Sequence, residues 1–185
     1  MSVVTAYTNW LSERGLIVPL YNAPHQEPGH PFADLRAQGI EVQYSGALEP
    51  KCLFILDAYD MEQWQVAFAF MLRISRALGL SPSDVGVLGV LTQLPAWPET
   101  VNEPLKLIIE QLASKNVSQI LSVGKRAHDL FKLNIDFERA TLAPDSISIT
   151  GRELRYLAIW DHRDMTNQPA LKKTAWLAMQ QLLNH

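Results

Sequence analysis

An acid and a base stand side by side near the end of this chain, in Asp161-His162-Arg163-Asp164. An Asp and a His within hydrogen-bond reach can shuttle a proton to and from a substrate. Neighbouring residues leaving a strand point apart, so the pair does not meet automatically. The plainer role is a solvated loop, with Asp164 or Asn167 helping to start a helix at Pro169. A second acidic pair, Asp57 and Asp60, follows the apolar run Cys52-Leu53-Phe54-Ile55-Leu56. Carboxylates at the C-terminal end of a parallel strand lie where open α/β sheets put their ligands. Asp60 has a simpler use as the N-cap of a helix starting at Met61, with Glu62 in its first turn. The turn Ser122-Val123-Gly124-Lys125-Arg126-Ala127 is the third candidate. Glycine admits close backbone approach and the two cations favour an anion, which makes Gly124, Lys125 and Arg126 a candidate phosphate or carboxylate site. The glycine spacing of a P-loop or a dinucleotide fingerprint is absent, so a tight turn with solvated charges accounts for it as well.

No metal or thiol chemistry is indicated. The five histidines, His25, His30, His128, His162 and His185, have no zinc-ligand spacing, and the single cysteine cannot make a thiolate site. Cys52 reads as a small buried hydrophobe in a reducing compartment. No cofactor is expected. The net charge of −3 gives no support for the basic face that strong non-specific nucleic-acid binding needs. There is no leader and no apolar run of bilayer-spanning length, so the expected location is cytoplasmic.

The elements that must position these residues follow from periodicity. A chain of 185 residues with 48% apolar content suits one domain with a full core. Residues 1–50 read as an N-terminal arm and Pro-rich loop, packed on the core or tethered to it. Tyr7, Trp10 and Leu11 share a helical face there, and Ile40, Val42 and Tyr44 alternate like a short strand. Residues 51–185 form the core domain. Strands are expected at 52–56, 85–91 and 119–123, with a hairpin of 147–149 and 154–159 around Thr150-Gly151. Helices are expected at 61–78 with Gly79 as the stop, from Asn102-Glu103-Pro104 to Lys115, from Lys125 to Leu133, and from Pro169 to Leu183. Strands alternating with helices predict an α/β fold: a three-layer α/β/α sandwich with a mainly parallel central sheet.

The run from Tyr156 to Trp176 resembles the end of the uracil-DNA glycosylase-like fold. There a strand delivers a His-Pro pair into a loop, and a Pro-initiated helix carrying Lys or Arg and a Trp follows. The segment from Ile120 to Phe131 resembles that group's strand-Gly-helix element. The resemblance implies a catalytic His where this chain has Asp161, with His162 in the place of the Pro. It also implies a Gly, then an acidic residue or Gln, then Pro near Asp57, where this chain has Leu56-Asp57-Ala58-Tyr59-Asp60. The resemblance thus implies a frame that is kept and a catalytic chemistry that is lost.

Within that group the chain resembles the psi subunits of the DNA polymerase III clamp loader, which have the fold without the catalytic motifs. The likeness rests on Trp10 with Gly15-Leu16-Ile17, on Leu53 to Asp60, on Leu78-x-x-Ser81-Pro82-x-x-Val85, and on Asp164, Pro169 and Trp176. Extra segments at 23–48 and 102–115 depart from the pattern. The resemblance implies a non-catalytic accessory subunit bridging a clamp-loader ATPase, through the N-terminal segment, and the chi subunit, through the core. On it, Trp10, Leu16, Ile17, Leu20 and Tyr21 make the clamp-loader contact. The same aromatic stripe could equally cover a sheet edge as a core lid. The alternatives are a divergent glycosylase that extrudes a base and uses Asp57 or Asp60 with His162, and a small-molecule-binding α/β domain.

Overall fold

The computed structural model describes residues 35, 38–47, 49–93, 99–113, 116–131, 133, 135–149 and 151–183. In order these form β1 (Glu41–Gly46), β2 (Cys52–Ala58), α1 (Met61–Ala77), β3 (Val85–Leu91) and α2 (Glu99–Ala113). They continue with β4 (Gln119–Val123), α3 (Lys125–Asp129), α4 (Phe137–Ala140), β5 (Asp145–Ile149), β6 (Arg152–Ile159), α5 (His162–Asn167) and α6 (Pro169–Leu183). The strands make one six-stranded mixed sheet in the order β1-β3-β2-β4-β6-β5. The four inner strands are parallel, and the two outer strands pair antiparallel with their neighbours. This is an α/β fold.

The inner strands are apolar runs because both of their faces are covered. Along β2, Leu53 and Ile55 join a cluster with Leu105 and Ile108 of α2, Ala127 of α3 and Phe137 of α4. Phe54 and Leu56 point the other way, into a cluster with Trp64 and Met71 of α1 and Ala175 and Met179 of α6. The strands expected to be buried, 53–56, 85–88, 120–123 and 157–159, are buried throughout, and Cys52 is buried with them. Gly89 on β3 faces the Trp64 indole so closely that a side-chain carbon there would collide with the ring.

Local chemistry sets the ends. Asp60 caps α1, accepting from the Gln63 N–H at 2.9 Å. Gly79 ends it at φ +76, with the Leu80 N–H reaching back to Ser75 O at 2.9 Å. That bond closes a glycine-ended C-terminal turn. β1 is part of the sheet, pairing antiparallel with β3, so the chain from Glu41 to Gly46 packs on the core. Trp10, Leu16, Ile17, Leu20, Tyr21, His25, His30 and His185 lie outside the described residues.

Helix α4 was not expected, and three further elements differ from expectation. Helix α2 begins at Glu99, which places Pro104 inside it and removes one main-chain donor there. Helix α3 stops at Asp129, and the chain turns back so that the His128 ring meets the Ile135 carbonyl. The expected polar loop at 161–168 holds the short helix α5, capped by Asp161.

A buried polar chain ties three elements together. His128 Nε2 faces the Ile135 carbonyl at 3.0 Å, and Nδ1 faces the Tyr156 hydroxyl at 2.7 Å. A carbonyl can only accept, so Nε2 donates to it, and in the Nε2–H tautomer Nδ1 accepts from Tyr156. The Tyr156 hydroxyl lies 2.5 Å from Ser122 Oγ, which therefore donates to it. Tyr156 and Ser122 are wholly buried, and burial pushes the Tyr156 phenol well up. At the opposite end of β6, Arg152 donates to Ala113 O at 2.9 Å and Val117 O at 3.1 Å, below α2. Arg155 donates to Leu182 O and, at 2.8 Å, to Gln181 O, at the end of α6.

Candidate functional site

The crossover from β2 to β3 goes to one side of β2, and β4 lies on the other. The topological switch point is therefore between the C-terminal ends of β2 and β4, where open α/β sheets bind ligands. Asp57 near the end of β2, Gly124 after β4 and Asp161 after β6 converge there.

Gly124 adopts φ +89, a conformation that favours glycine, and its N–H donates to Ile159 O at 2.8 Å. That turn starts α3 and aims Arg126 back at β2. The guanidinium donates from Nε to Asp57 Oδ2 at 2.6 Å and from Nη2 to Oδ1. The fork is largely buried, with the side chains of Arg126 and Asp57 19% and 10% exposed. Asp161 leaves β6 as the cap of α5. Its Oδ1 accepts from the Arg163 N–H and from Arg163 Nε, both at 2.8 Å, and its Oδ2 accepts from Nη2 at 3.0 Å.

Tyr59 completes the cluster. Its ring centroid lies 5.3 Å from the Arg126 guanidinium carbon and 5.0 Å from that of Arg163. Both distances suit cation–π attraction. Gln63 Oε1 accepts from the Tyr59 N–H at 3.3 Å and from Arg163 Nη1 at 3.4 Å. Two carboxylates and two guanidiniums thus bridge the strand ends with their charges cancelling.

The two acids titrate in opposite directions. Burial raises the Asp57 carboxyl, and Arg126 offsets this only in part. Burial would raise Asp161 too, but the Arg163 hydrogen bonds and the charges of His162 and Arg163 together hold it below the ordinary carboxylate range. Arg163 is pushed up in return by its bond to Asp161.

Of the sequence-predicted residues, Asp57 is brought into the cluster and Asp60 is spent on the α1 cap. His162 does meet its neighbour, contrary to the expectation for adjacent residues: Nδ1 lies 3.3 Å from Asp161 Oδ1. Helix α5 starts at His162, so the two residues straddle a cap rather than extend a strand, and this brings their side chains together. The His162 ring also lies 6.4 Å from Phe70. At the candidate anion site, Lys125 donates to Asp129 at 2.7 and 2.9 Å, Arg126 holds Asp57, and the Gly124 N–H serves β6.

Chemically, the cluster favours the charged form of Asp161, whereas burial works against that of Asp57. Each oxygen of Asp57 and Asp161 accepts a charge-assisted bond from an arginine, so both carboxylates are already engaged. Among the described residues, no group of three or more His, Cys, Asp and Glu side chains could hold a metal ion. No described helix is long and apolar enough to cross a membrane. Sequence reading missed Arg163, Tyr59 and Gln63. The only hint was Arg163 two residues after a capping acid, where a side chain can fold back onto its own cap. No protein-family model matches the chain, and no curated protein matches it.

Proposed function

We propose that this chain is a non-catalytic accessory protein on a three-layer, uracil-DNA glycosylase-like α/β/α frame. Its role on this reading is that of a psi-type subunit, bridging the clamp-loader ATPase and the chi subunit of a bacterial replicative polymerase. The observation that carries the non-catalytic half is the pair of Asp–Arg forks at the strand ends. A glycosylase must stabilise an anionic base as it leaves. Asp161 presents an anion at that place, Asp57 is engaged by Arg126, and Asp60 caps α1. The psi-type half is supported by the matching segments from Leu53 to Asp60, from Leu78 to Val85, and at Asp164, Pro169 and Trp176.

A divergent glycosylase using Asp57, Asp60 and His162 is the second reading, favoured by the contact of His162 with Asp161. Two measurements separate them. Calorimetric titration of the chain into a purified clamp-loader ATPase subunit and into chi is expected to give saturable binding to both. Trp10→Ala is expected to weaken the ATPase complex by about 2 kcal/mol or more, as aromatic hot spots do. Base-release assays on uracil-containing single- and double-stranded DNA are expected to show no product. Excision that vanishes in Asp57→Asn or His162→Ala would refute the proposal.

A further inference from the structure

At one end of the sheet, β5 pairs with β6 alone among the described strands. The hairpin closes with Ile149 opposite Arg152 across two residues. In such a hairpin the closing pair and every second pair exchange main-chain bonds. Asp145, Ile147 and Ile149 therefore bond inward to β6, and the main-chain groups of Ser146 and Ser148 face away from the sheet. One outward group is already engaged: the Ser146 N–H donates to Asp145 Oδ1 at 2.7 Å. The outward groups of Ser148 and the Ser146 carbonyl have no described partner.

Beside this edge lies a pocket of about 80 Å³, lined by Ile109 and Glu110 of α2, by Leu130, Phe131 and Leu133, and by Ile147 of β5. Lys106 stands at its rim, its side chain 60% exposed and its ammonium 3.9 Å from Glu110, the outer limit of an ion pair.

The geometry points to a strand-adding site on β5, taking an extended segment of a partner protein with one branched aliphatic anchor and an acidic flank. Each feature selects part of that occupant. Outward main-chain donors and acceptors are satisfied by another extended backbone. The apolar pocket fits one aliphatic side chain. Lys106, weakly held by Glu110, favours a carboxylate beside the anchor. A second copy of the chain does not fit. Paired edge to edge, its Ile147 would remain in its own core, where it is 5% exposed, and could not enter the pocket. Two five-residue strands would also bury far less than the ~1,200 Å² of a stable interface. This site stands apart from the strand-end cluster and from the reading above.

The test uses the full chain and a fluorescein-labelled hexapeptide, Ser-Asp-Leu-Ser-Val-Ser, read by anisotropy. Saturable binding is expected with Kd between about 10 µM and 200 µM, as suits a short strand that must be ordered on binding. Replacing the Leu by Ala should weaken it by at least about tenfold. Replacing the Asp by Lys should weaken it about threefold, less at high salt. N-methylation of the peptide backbone at the pairing residues should abolish it. Ser148→Pro removes only an outward N–H, as edge strands tolerate, and should abolish binding with the melting temperature kept. Should that variant unfold, the N-methyl peptide tests the same bond from the other side. No saturable binding up to about 1 mM, binding indifferent to N-methylation, or a dimer in sedimentation would each overturn the proposal.

Discussion

Removing one oxygen atom, in Tyr156→Phe, should cost far more than its size suggests. The ring keeps its contacts with Phe131 at 5.2 Å and with His128 at 5.8 Å, so packing is almost unchanged. What changes is that Ser122 Oγ and His128 Nδ1, 2.5 and 2.7 Å from the lost hydroxyl, stay buried without it. A buried polar atom deprived of its partner costs about 1–3 kcal/mol. Two such atoms, less the desolvation of the phenol that no longer occurs, give about 2–4 kcal/mol. For a chain of this size that is a drop in Tm of roughly 4–16 °C. Urea unfolding of both proteins measures it, the midpoint shifting while the slope stays fixed. Ser122→Ala is the control. It leaves the Tyr156–His128 bond in place and should cost about 1 kcal/mol. If Tyr156→Phe costs less than about 0.5 kcal/mol, or less than Ser122→Ala, the directed chain from Ser122 to Ile135 is wrong. Nitrogen NMR of the His128 ring supplies a check free of energetics: Nε2 should carry the proton.

Arg126→Ala should leave Asp57 buried without its fork, at a cost on the order of 3 kcal/mol near neutral pH. An acid whose native pKa is raised binds more protons folded than unfolded, so this variant should regain stability as pH falls below Asp57's raised value. A variant whose deficit is the same at pH 4 and pH 7 would contradict this. Asp161 has the opposite sign: its contribution is full above the ordinary value of 3.8 and is lost as pH falls through its lower native value. Asp161→Asn keeps a capping oxygen and should differ from the parent mainly above that value, whereas Asp161→Ala should lose about a further 1 kcal/mol at all pH. Gly89→Ala should cost about 1–3 kcal/mol by driving a methyl into the Trp64 ring. In a double-mutant cycle, Trp64→Leu should recover much of that loss, and strict additivity would show that the collision relaxes elsewhere.

How much was legible in the sequence depends on the range of the interaction. β3, β4 and α6 match the expected bounds because an unbroken apolar run or an initiating proline marks them locally. The Asp60 cap was legible for the same reason. Helix α5 was not, because its sequence His162-Arg163-Asp164-Met165-Thr166-Asn167 is polar, and only Met165 is buried. The site was half visible. Asp57 and Gly124 could be placed at the strand ends by pattern, but Arg126 and Asp57 lie 69 residues apart and nothing local pairs them. The arginine read as an anion ligand is held by the carboxylate read as a candidate base, a relation that exists only once β2 and β4 lie side by side.

Arg152 and Arg155 give β6 a further consequence. Three residues apart on one strand, they grip the chain end of α2 on one face of the sheet and of α6 on the other. A helix usually frays from its last turn, since its final carbonyls have no partners within the helix. Here the carbonyls of Ala113, Gln181 and Leu182 accept from one strand of the sheet, so neither helix end can loosen without pulling on β6, and through it on the helix across the sheet. The two faces are therefore joined into one cooperative opening unit. Amide protons in the last turns of α2 and α6, ordinarily the first to exchange with solvent, are held to the clock of the sheet.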